Sequence, residues 1–217
     1  MGYIRMGVPK DLVIKLLMVQ PTPNFVETGT FKGDTTFWAA KHFHKVITIE
    51  LNSELSRQVS QRLDCPRNIE FLIGDSSELM SRVVDQLEGS AVFWLDGHYS
   101  GPGTAGVSNE CPILAELKAL RSAINPIILI DDARCFLGPP PPPHNPEHWV
   151  SIDRLFAYIF SLFPEHTTTI HDDVIISVPN KLKQILDADW MDHFNERFSQ
   201  AIPTKRSLFG SMARFWQ

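Results

Sequence analysis

Five short apolar runs recur between residues 24 and 130, and each is bounded by residues that break or cap an element. They are Asn24–Glu27, Lys45–Leu51, Ile69–Ile73, Ala91–Leu95 and Pro126–Ile130. Each has strand length. Between them lie segments with helical spacing of apolar residues: Thr35–His42, Ser53–Leu63, Ser76–Leu87 and Cys111–Ala123. Strands that alternate with helices form a parallel sheet, because a parallel pair needs a crossover connection. The runs are nearly all apolar rather than alternating, so helices cover both faces. Ser151–Phe163 reads as a further helix. Thr167–His171 and Val174–Val178 flank Asp172-Asp173 as an antiparallel hairpin. The fold class expected is α/β: a doubly wound, Rossmann-like, mostly parallel seven-stranded sheet with a C-terminal antiparallel hairpin and helices on both faces.

The 217 residues are read as a single domain. A packing helix spans 10–20, where Leu12, Val13, Leu16, Leu17 and Met18 recur at helical spacing and Pro21 and Pro23 end it. The core spans 24–179, and a helical tail spans 181–217. Gly97–Asn109 is a glycine-rich loop, freed by Gly101, Gly103 and Gly106, and Ala133–Val150 is an irregular loop with five consecutive prolines at 139–143. Both leave the same edge of the sheet and are expected to close over a ligand there.

The most pointed local motif is Asn24–Thr36, NFVETGTFKGDTT. A strand runs into Glu27, then Gly29 and Gly33, then Asp34-Thr35-Thr36 opening a helix, with Asp34 or Thr35 expected as its N-cap. Glycines at such a turn let backbone approach a ligand. The spacing is Glu-x-Gly-x-x-x-Gly, so an acid stands where a dinucleotide site approaches pyrophosphate. An acid repels phosphate and suits a cationic or hydroxyl-rich ligand, which disfavours a nicotinamide oxidoreductase.

Three further strands also end in acids. Glu50 follows 23 residues after Glu27, near the place where nucleotide folds keep the carboxylate that holds ribose hydroxyls. Gly74-Asp75 ends the third run and Asp96 the fourth, while the fifth delivers Asp131-Asp132. Open α/β sheets bind ligands at this edge.

These motifs together resemble the class I S-adenosylmethionine-dependent methyltransferases over roughly 24–178. Glu27, Gly29 and Gly33 match that family's first motif, Glu50 its ribose-binding acid, and Asp75 with Ser76 its adenine-contacting position. The resemblance places S-adenosylmethionine on Glu27, Thr28, Gly29, Thr30, Gly33, Thr35, Glu50, Asp75, Ser76 and Asp96. Trp94-Leu95-Asp96-Gly97 with Ile130-Asp131-Asp132 is similar to the macrocin-type and FkbM-like O-methyltransferases. It implies transfer to a hydroxyl of a sugar or other small molecule with Mg²⁺ on Asp96, Asp131 and Asp132; the catalytic residues expected are Asp96, His98 and Asp131. Hard carboxylates at adjacent strand ends suit that cation, and His98 offers a general base instead. The reading from a different class is a fold relative that binds the cofactor without turnover and acts through a partner protein.

Composition excludes other classes. A net charge of −5 argues against nucleic acid as partner. An Asn/Asp-Pro-Pro-aromatic signature is absent after the fourth run, where Asp96-Gly97-His98-Tyr99 stands, which disfavours DNA methylation. Cys65, Cys111 and Cys135 are scattered and form no Cys-x-x-Cys pair. No run reaches membrane-spanning length and no signal pattern opens the chain, so a cytoplasmic protein without membrane contact is expected. Homodimerisation is left open. His42, His44, His144, His148 and His171 are expected at the surface.

Overall fold

The computed structural model describes residues 7–99, 109–138, 140–142 and 144–201, with side chains as far as 196. The glycines at 101, 103 and 106 and the prolines at 139 and 143 lie outside the described residues, as does the tail beyond 201. The chain divides into two units, Met1–Lys183 and Gln184–Gln217.

In the first unit the described residues form one seven-stranded sheet. Its strands are β1 (Asn24–Thr28), β2 (Lys45–Glu50), β3 (Ile69–Ile73), β4 (Ala91–Leu95), β5 (Ile127–Ile130), β6 (His166–His171) and β7 (Val174–Pro179). Their order is β3-β2-β1-β4-β5-β7-β6. The first five run parallel, and β7 pairs antiparallel with both β5 and β6. The helices are α1 (Lys10–Val19), α2 (Asp34–Ala39), α3 (Ser53–Ser60), α4 (Ser76–Asp85), α5 (Ile113–Ala119), α6 (Arg134–Leu137) and α7 (Ile152–Leu162). The anticipated fold class is therefore the observed one. A helix α8 (Lys183–Ala201) makes up the described part of the second unit, where Trp190 stacks on Phe194 at 5.2 Å.

Alternate strand residues serve opposite faces. Val26, Ile47, Ile49, Phe93, Leu95, Ile128 and Ile130 join Met80 of α4, Leu117 of α5 and Leu155 and Ile159 of α7 in one buried cluster. The residues between them point the other way. There Phe25 meets Trp38 of α2 at 6.1 Å and Phe43 at 5.0 Å. No helix among the described residues is long and apolar enough to cross a membrane.

Two local expectations need correction. The N-cap of α2 is Gly33, in the left-handed region with φ 79°, rather than Asp34 or Thr35. The stretch 133–150 is less irregular than its prolines suggest, since α6 opens it and a 3₁₀ turn spans Pro146–His148.

Candidate functional site

The strand order makes β1 and β4 neighbours although β2 and β3 lie between them in sequence. Connections leave β1 toward one side and β4 toward the other, which makes the carboxyl ends of these strands a topological switch point, where open α/β sheets bind ligands. The register sets what faces it. Thr28 pairs with Ile49 on one side and Leu95 on the other, and Leu95 pairs with Ile130. Gly29, Asp96 and Asp131, each one residue past its strand, therefore stand level with Glu50, the last residue of β2. The ladder continues through them: Gly29 N–H donates to Ile49 O at 2.8 Å and Asp131 N–H to Leu95 O at 3.1 Å.

The turn after β1 is tightly constrained. Gly29 has φ 84°, and a Cβ there would lie 2.4 Å from the Asp96 carbonyl oxygen. No other residue type fits both conditions. Thr28 is fully buried, and its hydroxyl accepts from Asp96 N–H at 3.1 Å. Gly33 N–H closes the turn on Thr30 O at 2.8 Å. Thr35 is half-buried in the first turn of α2.

The acids on this side are held by neutral donors. Glu27 shares a face with Phe25, so its carboxylate points beneath the turn toward α2. Its Oε2 accepts from the hydroxyls of Thr36 and Thr48, and Thr48 in turn meets the Thr30 hydroxyl at 2.7 Å. Burial pushes the Glu27 carboxyl up to about 8, against the opposing pull of the two threonines. Glu50 is 7% exposed, with Oε2 accepting from Phe31 N–H at 3.0 Å and Oε1 from Asn52 N–H at 2.9 Å. Asp75 is the N-cap of α4: its Oδ1 accepts from Ser77 N–H at 2.8 Å and the Ser77 hydroxyl at 2.6 Å. Ser76 is buried beside it.

The other side is bound together by charge. His98 Nε2 lies 2.7 Å from Asp132 Oδ2, and Nδ1 is turned toward Asp96 Oδ1 at 3.7 Å. Asp132 sits in the left-handed region at φ 55°, a conformation aspartate tolerates better than most residues. Its other oxygen receives Arg134 Nη1 at 2.6 Å, and the same Nη1 pairs with Asp173 Oδ2. Asp173, in the β6–β7 turn, also takes Arg134 N–H on Oδ1 at 2.9 Å and Ala133 N–H on its carbonyl at 2.8 Å. The hairpin is thereby tied to the start of α6. Asp131 is buried, and its Oδ1 accepts from Asp132 N–H at 2.8 Å.

This packing shifts protons. Burial raises Asp96 to about 7, with Asp131 and Asp132 adding to it and His98 opposing. Burial also raises Asp131 to about 6. Burial works against charge at Asp132 too, but His98 and Arg134 outweigh it and hold that carboxyl below its usual range. Burial would lower His98, yet the Asp132 hydrogen bond and the surrounding carboxylates keep the imidazole above the usual histidine value.

The structure thus brings Asp96, His98, Asp131 and Asp132 together, and places Gly29 and Glu50 beside them. Among the described residues, the carboxylates whose oxygens come within 4.8 Å of one another are Asp131, Asp132 and Asp173, a set without Asp96. As arranged this set does not fit a divalent cation, because Arg134 bridges Asp132 and Asp173 while His98 takes the remaining Asp132 oxygen. Arg134 and His98 supply at most two positive charges against the three carboxylates of the set.

Glu110, Glu116, Trp149 and Asp173 are absent from the sequence-derived set. Glu116 is 1% exposed on α5 and raised to about 7 by burial, a rise the nearby Ser76 and Thr28 hydroxyls oppose, and its Oε1 is buried without a hydrogen-bond partner. A signal for it existed: it shares the apolar stripe of Ile113, Leu117 and Leu120. His144 corrects the surface expectation. Its side chain is 19% exposed, with Nδ1 3.2 Å from Glu110 Oε2 and its ring edge-on to Trp149 at 5.7 Å.

No family model and no curated protein matches the chain. Solved structures do. One is a provisional caffeoyl-CoA O-methyltransferase from Staphylococcus aureus, 17% identical, with 81% of this chain and 86% of that one covered and a TM-score of 0.54. A provisional methyltransferase from Streptococcus mutans in complex with SAH is 11% identical, covers 81% and 99%, and scores 0.52. An rRNA methylase from Streptococcus thermophilus is 14% identical, covers 82% and 99%, and scores 0.50. At these identities the likeness establishes the fold, which this chain shares with methyltransferases acting on different acceptors.

Proposed function

We propose that this chain is an S-adenosylmethionine-dependent methyltransferase that acts on a hydroxyl of a sugar or other small molecule. The observation that carries the reading is the switch point, where Gly29 presses against the Asp96 carbonyl and both neighbouring strands end in acids. The donor chemistry suits this nucleoside: it carries an ammonium group, two ribose hydroxyls and no phosphate, and the site offers carboxylates and glycine backbone. Glu50 would hold the ribose hydroxyls with a carboxylate already oriented by two backbone N–H groups. Asp75 and Ser76 would flank the adenine. Thr28, Gly29, Thr30, Gly33 and Thr35 would line the amino-acid end, with Glu27 bracing the turn from beneath. When bound, the cofactor supplies an electrophilic methyl group.

The chain's own residues supply the proton chemistry. An alcohol needs a base at neutral pH. Asp132 accepts from His98 Nε2–H, and in that tautomer Nδ1, on the Asp96 side, carries the lone pair that takes the hydroxyl proton. Asp96 and Asp132 then stabilise the imidazolium. Because Arg134 and His98 engage Asp132, no step is assigned to Mg²⁺.

Calorimetry with S-adenosylmethionine and its demethylated product tests the reading. Binding of both is expected, followed by transfer of radiolabelled methyl to hydroxylated acceptors in a screen. A folded wild-type protein that binds neither would end the proposal. One that binds both but methylates no acceptor would favour the partner-module reading.

A further inference from the structure

We infer that Glu110 is a positioning residue: it joins the segments that follow β4 and β5, and through the Trp149 indole it sets the imidazole of His98. Only the catalytic meaning of His98 rests on the methyltransferase reading; the geometry stands without it.

Glu110 lies just ahead of α5 and is 4% exposed. Its carbonyl accepts from Tyr99 N–H at 2.8 Å, so residues 99 and 110 meet at the base of the first segment. Its carboxylate belongs to the second segment. There it accepts from Asn145 N–H at 3.0 and 3.1 Å and from Trp149 Nε1–H at 3.0 Å, and His144 Nδ1 lies 3.2 Å away. Three groups from 144–149 thus converge on one carboxylate from residue 110. A buried carboxylate with charge-assisted partners of this kind is costly to remove, because each donor is then left unpaired.

Trp149 transmits the contact. Its indole is 9% exposed, tilted against Phe136 at 5.5 Å and edge-on to His98 at 5.5 Å. The Nε1–H bond fixes one end of the indole, and Phe136 backs its body. His98 is held at Nε2 by Asp132, and the indole edge stands against the imidazole as a second, aromatic support. The imidazole is therefore pinned between a carboxylate and an aromatic wall, with Nδ1 directed at Asp96. This is the kind of support a proton-transfer group needs, since misplacement of about 1 Å can cost 100-fold in rate.

The charged and titratable groups around His98 are Asp96, Asp131 and Asp132 at the strand ends, Arg134 beyond Asp132, Glu116 on α5, and His144 behind Trp149. Glu110 reaches His98 only through Trp149. Its hydrogen-bond donors outweigh the effect of burial and hold its carboxyl below the usual range, so it stays ionised while His98 titrates.

Histidine-labelled protein followed by NMR tests the inference without any acceptor. In the wild type the His98 ring protons are expected to carry a ring-current shift from Trp149. In Glu110→Ala that shift is expected to collapse and the His98 midpoint to move by about half a pH unit or more. S-adenosylmethionine affinity, read by calorimetry, should stay within about twofold. Glu110→Gln should restore the shift, because its amide oxygen can still accept from Trp149. A folded Glu110→Ala protein with unchanged His98 shift and midpoint would overturn the inference. Should that variant not fold, Glu110→Asp, whose arm is one methylene shorter, is expected to show the same change in smaller measure, and an unchanged His98 there would overturn it equally. Failure of the wild type to bind cofactor strikes the proposed function alone and leaves this test standing.

Discussion

The two halves of the site handle carboxylates in opposite ways. On the β1–β3 side, Glu27, Glu50 and Asp75 are held by hydroxyls and backbone N–H groups, and none of the ion pairs described involves them. On the β4–β5 side, Asp96, Asp131, Asp132 and Asp173 crowd around His98 and Arg134. Neutral donors orient Glu50 and Asp75 without an opposing charge, which suits binding hydroxyls or an ammonium group, while buried Glu27 holds its proton at neutral pH. Crowded charges push proton affinities apart, which suits moving a proton. The proposed reading divides the labour along this line, and each half can be broken separately.

The largest effect is expected from His98→Ala, which should cut turnover by about 100- to 10,000-fold while calorimetry finds cofactor affinity unchanged. In the wild type His98 must be neutral to accept a proton. The rate should therefore be lost as pH falls through its raised pKa, placing the acid limb above the ordinary histidine value. Turnover that survives His98→Ala would remove the proton function from this half.

Gly29→Ala strikes both halves at once. The new Cβ meets the Asp96 carbonyl at 2.4 Å, in a left-handed conformation. Strain and overpacking together should cost about 3 kcal/mol of stability, visible in chemical denaturation, and cofactor binding should fail. Glu50→Ala should affect the binding half alone. Losing a charged hydrogen bond costs about 1.5–3 kcal/mol, a weakening of roughly 10- to 150-fold by calorimetry. The His98 titration should not move.

A smaller effect belongs to Glu27. Burial raises its folded pKa to about 8, above the 4.5 of an ordinary glutamate, so the native state holds a proton that the unfolded chain releases. That stability is complete below about 4.5 and is lost as pH rises through 8. Between pH 7 and 8 the wild type should lose about 1 kcal/mol, and Glu27→Gln should lose less by that amount when the two are compared in urea. The smallest effect is the expected absence of one: exhaustive chelation should leave turnover intact, since Arg134 and His98 already engage Asp132. Turnover lost to EDTA and restored by Mg²⁺ would return Asp96, Asp131 and Asp132 to a metal.

Much of the binding half was legible in the sequence. A glycine at a strand-to-helix turn and an acid at a strand end are local signals, and Gly29, Glu50 and Asp75 stand where those signals put them. The depth of Glu27 was legible only in part. Its parity with Phe25 sends it to the α2 face, but that it is met there by Thr36 and Thr48 depends on packing. The reactive half was legible as a list of acids and a histidine, without their partners. Arg134 reaches Asp173 across 39 positions and Trp149 reaches Glu110 across the same separation, and no local pattern encodes either pairing.

What the sequence determined by itself is the alternation of strands and helices and the acids at their ends, because strand periodicity, turn chemistry and capping act over a few residues. What only the tertiary structure decided is the strand order β3-β2-β1-β4-β5-β7-β6, which brings Gly29 against Asp96, and the pairing of Asp132 with His98 and of Glu110 with Trp149. A buried carboxylate must find a partner wherever the fold brings one within reach, and that reach runs through space rather than along the chain.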